Sequence, residues 1–190
     1  MIRRTRPGDV AALRAIAAAA YEKYISRIGR APAPMTADYA RQVSDGQAWA
    51  AVQDGQVVGF AILIAQPGYL LLENVAVLPA AQGRGVGARL LALAEEHARG
   101  LGLGEVRLYT NEAMTENLDY YPRRGYHETH RATQNGYQRV FFSKVLVQGD
   151  VLRLARQRRT AAEALASSHS FERSSDQPNT SRVRSRPSMP

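Results

Sequence analysis

The run of residues 70–91 places an apolar strand, a proline, three closely spaced glycines and the start of a helix in succession. Leu and Val residues, interrupted only by Glu73 and Asn74, predict a buried strand. Pro79 ends this strand because proline lacks the backbone N–H that a ladder requires. The glycines at 83, 85 and 87 let a ligand approach the backbone, and the helix that follows favours an anion at its N-terminus. The run therefore predicts a phosphate or pyrophosphate site.

Three kinds of glycine-rich loop bind phosphate groups, and the sequence distinguishes between them. A P-loop needs Gly-x-x-x-x-Gly-Lys-Ser/Thr, which does not occur in the sequence. The relaxed dinucleotide pattern Gly-x-Gly-x-x-Ala is matched at Gly83, Gly85 and Ala88, but residues 79–82 separate it from the strand. The dinucleotide pattern also requires an acidic residue at the end of the next strand, whereas Glu105 would lie at the start of that strand. The third pattern, Gln-x-x-Gly-x-Gly at residues 82–87, fits the spacing after the strand.

Together with residues 74–79, this Gln-x-x-Gly-x-Gly loop resembles the acetyl-CoA site of the GCN5-related N-acetyltransferase (GNAT) family. A second segment, with Asn117, Tyr121 and the pair Gly125-Tyr126, is similar to the closing helix of that family. The spacing between Asn117 and Tyr121 is shorter than is usual there. The resemblance covers roughly residues 1–147.

Seven segments have the apolar or alternating pattern of strands: 2–6, 47–53, 57–65, 70–78, 105–110, 126–131 and 139–147. The pairs Asp54-Gly55 and Asn135-Gly136 predict tight hairpin turns. A helix connects the fourth and fifth strands, which we expect to be parallel neighbours. The order predicts an α+β fold, with a mixed, mostly antiparallel central sheet of about seven strands and helices on both faces.

Helical spacing of apolar residues predicts a helix that follows Asp9 as its N-cap and ends at Gly29. Residues 30–35 contain two prolines and predict a loop. Thr36 is the predicted cap of a second short helix, and residues 86–101 are predicted to form the helix after the glycine loop.

The chain divides into a predicted acetyltransferase domain, residues 1–148, and a basic tail, residues 149–190. The tail contains eight arginines and four acidic residues, which is half of the net charge of +8. Ser, Arg, Pro and Asn dominate it from Ser167 onwards, so we expect disorder there.

Composition excludes several classes of protein. The chain has no cysteine, which excludes disulfides, thiolate metal sites and a cysteine nucleophile. No run of 18 apolar residues occurs, so we expect no membrane-spanning helix and a cytoplasmic location. The arginines lack interleaved aromatic residues, so we expect no nucleic-acid partner. His127 and His130 are placed on opposite faces of a strand, and we predict no metal site.

The resemblance implies acetyl-CoA as co-substrate, without a metal. It implies that the strand backbone near residues 75–77 pairs with the pantetheine arm and that the loop amides hold the pyrophosphate. Asn117 either bonds the cofactor arm or caps its helix. The predicted cofactor residues are Val75, Ala76, Val77, Gln82, Gly83, Arg84, Gly85, Val86, Gly87 and Asn117.

Two residues are predicted to be catalytic. The resemblance implies that Tyr121 is the general acid, since a phenol is protonated at neutral pH and can donate to the leaving thiolate. The alternative role for Tyr121 is that of a core aromatic residue, and Tyr120 is the second candidate for the general acid. Glu73 is the predicted base, because it is the one acid in an apolar strand and burial would raise its pKa. The alternative role for Glu73 is that of a strand-edge carboxylate paired with an arginine. Glu112 is the second candidate for the base.

The resemblance thus implies an N-acetyltransferase that moves the acetyl group of acetyl-CoA to a primary amine by direct attack in a ternary complex. We expect the acceptor to be a small amine or a peptide N-terminus, and the protein to be a monomer or homodimer without a membrane partner. The alternative function is a non-catalytic acyl-CoA-binding regulator on the same fold.

Overall fold

The structure, a computed structural model, describes residues 1–146. The predicted tail at residues 149–190 and the end of the predicted domain lie outside these residues. Within them, one sheet of seven strands has the order β1-β2-β3-β4-β5-β7-β6. The strands are β1 (Ile2–Arg4), β2 (Ala48–Gln53), β3 (Gln56–Gln66), β4 (Tyr69–Val77), β5 (Glu105–Asn111), β6 (His127–Gln134) and β7 (Tyr137–Val145).

Neighbouring strands are antiparallel throughout this sheet, except that β4 and β5 are parallel. The predicted mixed, mostly antiparallel sheet is therefore confirmed. The two predicted hairpin turns are present as well, with positive φ at Asp54 (48°), Gly55 (77°), Asn135 (52°) and Gly136 (71°). Two successive residues with positive φ form the turn whose twist matches that of paired strands.

Helices cover both faces of the sheet. They are α1 (Val10–Tyr21), α2 (Ile25–Ile28), α3 (Tyr39–Ser44), α4 (Val86–Gly100) and α5 (Thr115–Tyr120). Helix α4 buries one apolar stripe, which packs with Leu70, Leu72 and Leu108 on one face of the sheet. Helices α1 and α3 pack against Phe60 and Ile62 on the other face. The predicted helices on both faces are confirmed.

One of the two predicted helix caps is wrong. Asp9 is the N-cap residue of α1, as predicted, but its side chain makes no capping hydrogen bond there. Its carboxylate instead accepts hydrogen bonds from the Arg3 side chain, at 2.7 and 3.0 Å. Thr36 does not cap a helix: it ends a 3-10 turn that begins in the predicted loop, while the Asp38 side chain caps α3 by accepting from the Arg41 N–H. The predicted helix 10–29 is interrupted by a further 3-10 turn at Glu22–Tyr24.

A β-bulge at Glu73 shapes the middle of the sheet. Leu72 pairs with Leu63 and Asn74 pairs with Ile62, so Glu73 is an extra residue with no partner on β3. Pairing between β4 and β5 ends at the same place, with Leu72 opposite Leu108. Bulges bend a strand and increase its twist. The rest of β4 therefore separates from β5, and a gap opens inside the sheet.

Candidate active site

The gap between β4 and β5 opens into a cleft of about 440 Å³, here called the main cleft. Its size lies within the usual range for ligand sites. Nine of the ten predicted cofactor residues line it: Val75, Ala76, Val77, Gln82, Gly83, Gly85, Val86, Gly87 and Asn117. Arg84, the tenth, is exposed and lies outside the lining.

The glycine loop brings backbone close to this cleft. Gly83 and Gly85 have φ values of 75° and 76°, which side chains rarely permit. At Gly87 a Cβ atom would lie 2.7 Å from the Tyr120 hydroxyl, so the cleft wall leaves no room for a side chain there. Gln82 Nε2 donates to the Val77 carbonyl over 3.0 Å and ties the loop to β4. A tight backbone cradle before α4, whose fifteen residues give a full helix dipole, fits a pyrophosphate group.

Two cations that the sequence analysis missed also line the main cleft, Lys23 and Arg124. The Arg124 guanidinium lies 3.5 Å from the centroid of the Tyr120 ring and donates to the Tyr120 carbonyl over 3.0 Å. This stacking fixes a positive charge beside the glycine loop, where an anionic ligand benefits from it.

A second, smaller space of about 60 Å³, the inner cavity, adjoins the main cleft. Four residues line both: Tyr21, Val75, Asn117 and Tyr121. They form a junction at which a ligand in the cleft and a ligand in the cavity would meet.

Tyr121 is buried at this junction. It is 5% exposed and packs edge-on against Tyr126 and tilted against Phe142, with ring centroids 6.1 and 5.5 Å away. Burial raises its pKa well above that of a free phenol, so the hydroxyl is protonated at neutral pH. Tyr121 is thus both a core aromatic and a lining residue of both spaces, whereas Tyr120 lines only the main cleft.

Glu73 is half-buried and lines the inner cavity. The Tyr109 hydroxyl donates to its carboxylate over 2.6 Å. Burial, followed by the neighbouring carboxylate, raises the pKa of Tyr109, so this donor keeps its proton. Among residues 1–146 no arginine forms an ion pair with Glu73. Glu112, the second candidate, is exposed and lines neither the cavity nor the cleft.

Asn117 does not cap its helix, since α5 begins after Met114 without a side-chain cap. Its Nδ2 donates to the Thr110 hydroxyl over 2.9 Å, and this bond ties α5 to the end of β5. The side-chain oxygen of Asn117 can still accept from a ligand at the junction.

Sequence reasoning missed a chain of hydrogen bonds that leads away from the junction. The Tyr21 hydroxyl donates to Asn74 Oδ1 (2.6 Å), Asn74 Nδ2 donates to the Tyr39 hydroxyl (3.0 Å), and Tyr39 donates to the Pro34 carbonyl (2.6 Å). Burial raises the pKa of both tyrosines, which therefore remain donors. The sequence feature that could have revealed this chain of hydrogen bonds is Asn74, which is the second polar residue, after Glu73, in the apolar strand β4.

Residues 1–146 contain no cluster of three His, Asp or Glu side chains that is placed to hold a metal ion. No helix in that range has the length and hydropathy needed to cross a bilayer.

Known proteins resemble this chain in sequence and in fold. A relative, aminoalkylphosphonate N-acetyltransferase of Salmonella typhimurium, is 34% identical over 88 residues, which cover 42% of this chain and 56% of that protein. The chain thus matches only about half of that relative's length.

Solved structures give the same fold. A PaiA N-acetyltransferase from Thermoplasma acidophilum, in complex with coenzyme A, superposes with a TM-score of 0.65 at 18% identity, covering 76% of this chain and 98% of its own. A ribosomal-protein-alanine N-acetyltransferase from Brucella melitensis gives 0.60 at 23%, covering 77% and 99%. The family model described as acetyltransferase (GNAT) family matches residues 11–126. The chain therefore belongs to the acetyltransferase (GNAT) family.

Proposed function

We propose that this protein transfers the acetyl group of acetyl-CoA to a primary amine, by direct attack within a ternary complex. The observation that carries the proposal is the junction where the main cleft and the inner cavity share Tyr21, Val75, Asn117 and Tyr121. A thioester that enters from the cleft and an amine held in the cavity would meet there. Holding both reactants in one geometry removes much of the entropic barrier.

The main cleft holds the co-substrate in this proposal. The loop amides at residues 82–87 and the start of α4 bind the pyrophosphate, with Arg124 and Lys23 as nearby cations. Beyond Leu72, the side of β4 that faces β5 has no strand partner among residues 1–146. The Val75 and Val77 carbonyls accept from the Tyr21 hydroxyl at 3.2 Å and from Gln82 Nε2 at 3.0 Å. An extended pantetheine arm would pair with the N–H groups of this stretch or replace these side chains. A backbone N–H in this stretch would stabilise the charge that develops on the acetyl oxygen.

Proton transfers are assigned to two side chains. Glu73 accepts a proton from the attacking amine, directly or through one water, as the amine forms its bond to the carbonyl carbon. Tyr121 donates a proton to the thiolate as the carbon–sulfur bond breaks. The products are an N-acetyl amide and free CoA, with one proton passed to solvent for each ammonium consumed.

The acceptor is an amine in either of two forms. The Salmonella relative is named for aminoalkylphosphonates and the Brucella structure for ribosomal-protein alanine, so small amines and protein N-termini are both represented among similar proteins.

Release of CoA tests the proposed reaction. The protein has no cysteine, so a thiol reagent reports released CoA without background. A panel of amines should contain acceptors that release CoA, and double-reciprocal plots at several acceptor concentrations should intersect. Parallel plots would contradict the ternary complex. Binding of acetyl-CoA without release by any acceptor would show a regulator instead.

A further inference from the structure

The inner cavity is lined by two formal charges of opposite sign. Among the described residues that line it, Glu73 and Arg139 are the charged ones. Both contact Tyr109: its hydroxyl donates to Glu73, and the Arg139 guanidinium lies 3.9 Å from the centroid of its ring.

These two charges are not paired with each other. No ion pair within residues 1–146 includes either of them. Arg139 Nη1 donates to the neutral Gln134 side chain over 2.9 Å, and Glu73 accepts from the neutral Tyr109. Tyr109 therefore separates a carboxylate and a guanidinium that share one cavity, and each is left to find a charged partner in a ligand.

The two charges lie in a definite order relative to the junction. Glu73 precedes the junction residue Val75 by two positions on β4. Arg139 lies on β7, beyond β5 from the junction. Like Glu73, it lines the cavity and an open groove on the sheet but not the main cleft. An amine directed at the thioester would therefore have Glu73 beside it and Arg139 at its far end.

A strap formed by residues 30–36 contributes one wall of the cavity through Pro32, Ala33 and Pro34. The Tyr137 hydroxyl donates to the Ala31 carbonyl over 2.7 Å, and the Arg30 guanidinium stacks 3.5 Å from the Tyr137 ring. Arg30 also donates to the Asn135 carbonyl over 2.8 Å. These contacts fasten the strap to the β6–β7 turn over a space of about 60 Å³, which suits a small molecule better than a polypeptide.

We propose that the acceptor is a small amine that carries an anionic group, a carboxylate or phosphonate, at the end away from its nitrogen. This inference rests on the proposed function of the site. The ammonium of the acceptor lies against Glu73 and the anionic group against Arg139. A guanidinium presents a planar fork of donors that matches two oxygens of either anion.

A three-way acceptor comparison tests the inference. Short ω-amino acids, aminoalkylphosphonates and plain alkylamines of matching length are each assayed by CoA release, together with a peptide that has a free N-terminus. The anionic acceptors should exceed the alkylamines in kcat/KM on the order of tenfold to hundredfold, the usual value of a charged hydrogen-bonded contact. The order of carboxylate and phosphonate then identifies which anion is preferred.

Arg139→Gln should remove this preference, because kcat/KM should fall for anionic acceptors and stay unchanged for alkylamines. Arg139→Lys should restore part of it. The matched control is Arg107→Gln, because Arg107 stacks on Tyr69 at 4.1 Å in the same way but is exposed and outside the inner cavity. Its selectivity should equal that of the wild type. KM for acetyl-CoA and the melting temperature of each variant establish that the fold and the main cleft are intact.

Equal wild-type rates with anionic acceptors and alkylamines would overturn the inference and leave the acetyltransferase function standing. So would a clear preference for the peptide, or a loss in Arg139→Gln that is the same for every acceptor. If no acceptor releases CoA, the proposed function itself fails.

Discussion

The Tyr109 hydroxyl holds the Glu73 carboxylate at 2.6 Å across the point where β4 and β5 separate. Tyr109→Phe keeps the ring on which Arg139 stacks and removes only this bond. With Glu73 free to turn, we expect kcat/KM for the acceptor to fall about tenfold while KM for acetyl-CoA is unchanged. Tyr69→Phe, the equivalent change beneath Arg107, is the control and should have no effect. Unchanged kinetics in Tyr109→Phe would show that this hydrogen bond does not position Glu73 for catalysis.

Tyr121→Phe should lower turnover on the order of a hundredfold or more, because the thiolate loses its proton donor. Acetyl-CoA affinity should change far less, since the donation matters mainly in the transition state. Tyr126→Phe also removes a buried phenol oxygen, but Tyr126 lines neither the cleft nor the cavity, so its turnover should stay near that of the wild type. Near-normal turnover in Tyr121→Phe would make Tyr121 purely structural.

Gly87→Ala should weaken acetyl-CoA binding without lowering the stability of the fold, provided that the Tyr120 hydroxyl is removed as well. Alanine favours a helix over glycine by about 1 kcal/mol, yet its Cβ would meet the Tyr120 hydroxyl at 2.7 Å and narrow the cleft. In a Tyr120→Phe background the nearest ring atom is 3.6 Å away, so the protein accommodates the methyl group and only the ligand meets it. We expect calorimetry to show roughly tenfold weaker acetyl-CoA binding than Tyr120→Phe alone, without a lower melting temperature.

The control for this change is Gly100→Ala, near the other end of α4, where a Cβ has no neighbour within 4 Å. Binding should be normal there. If the Gly87→Ala double variant also binds normally, the ligand does not approach this glycine.

Asp9 should make the free energy of unfolding depend on pH in the acid range. Hydrogen bonds from Arg3 hold the pKa of its carboxyl below the ordinary value of 3.8, so the folded state favours the charged form. The resulting stability is complete above the unfolded pKa and is lost as the pH falls through the lowered folded pKa. Asp9→Asn should therefore cost about 1 kcal/mol in urea unfolding at neutral pH and almost nothing at a pH below both values. A cost that is independent of pH would contradict the assignment.

Removal of residues 149–190 should leave the melting temperature and acetyl-CoA binding nearly unchanged. The sequence of this segment has too few apolar residues to join a core. Calorimetry of the shortened chain is the measurement. A fall of several degrees would show that the segment packs on the domain.

Local chemistry explains which parts of the fold the sequence predicted. Asp54-Gly55 and Asn135-Gly136 specify their turns through backbone preferences that depend on few neighbours. Asp9 lies at the predicted N-cap position, but Arg3, on β1, takes its carboxylate, so the side chain does not cap the helix. The predicted cap at Thr36 is wrong because Asp38, two residues later, is the better-placed acceptor.

The site was predicted only where a local motif marks it. The glycine loop and β4 supplied eight lining residues of the main cleft, and the second motif supplied Asn117 on α5. The inner cavity depends on strands that are distant in sequence, since Tyr109 lies on β5 and Arg139 on β7. No spacing along the chain shows that both side chains line one cavity with Glu73, and the bulge at Glu73 is visible only from the pairing with β3.

A sheet of seven strands ordinarily has two edges, here β1 and β6, but the bulge at Glu73 creates a third inside the molecule. Unpaired strand edges on a surface recruit other chains and promote aggregation. This interior edge ends at the glycine loop and lies beside α5, in the main cleft. In the proposed complex, an extended ligand with few branches adds to it as an eighth strand would. The same irregularity that weakens the sheet then gives the proposed site a strand-like receptor for an amide-bearing chain.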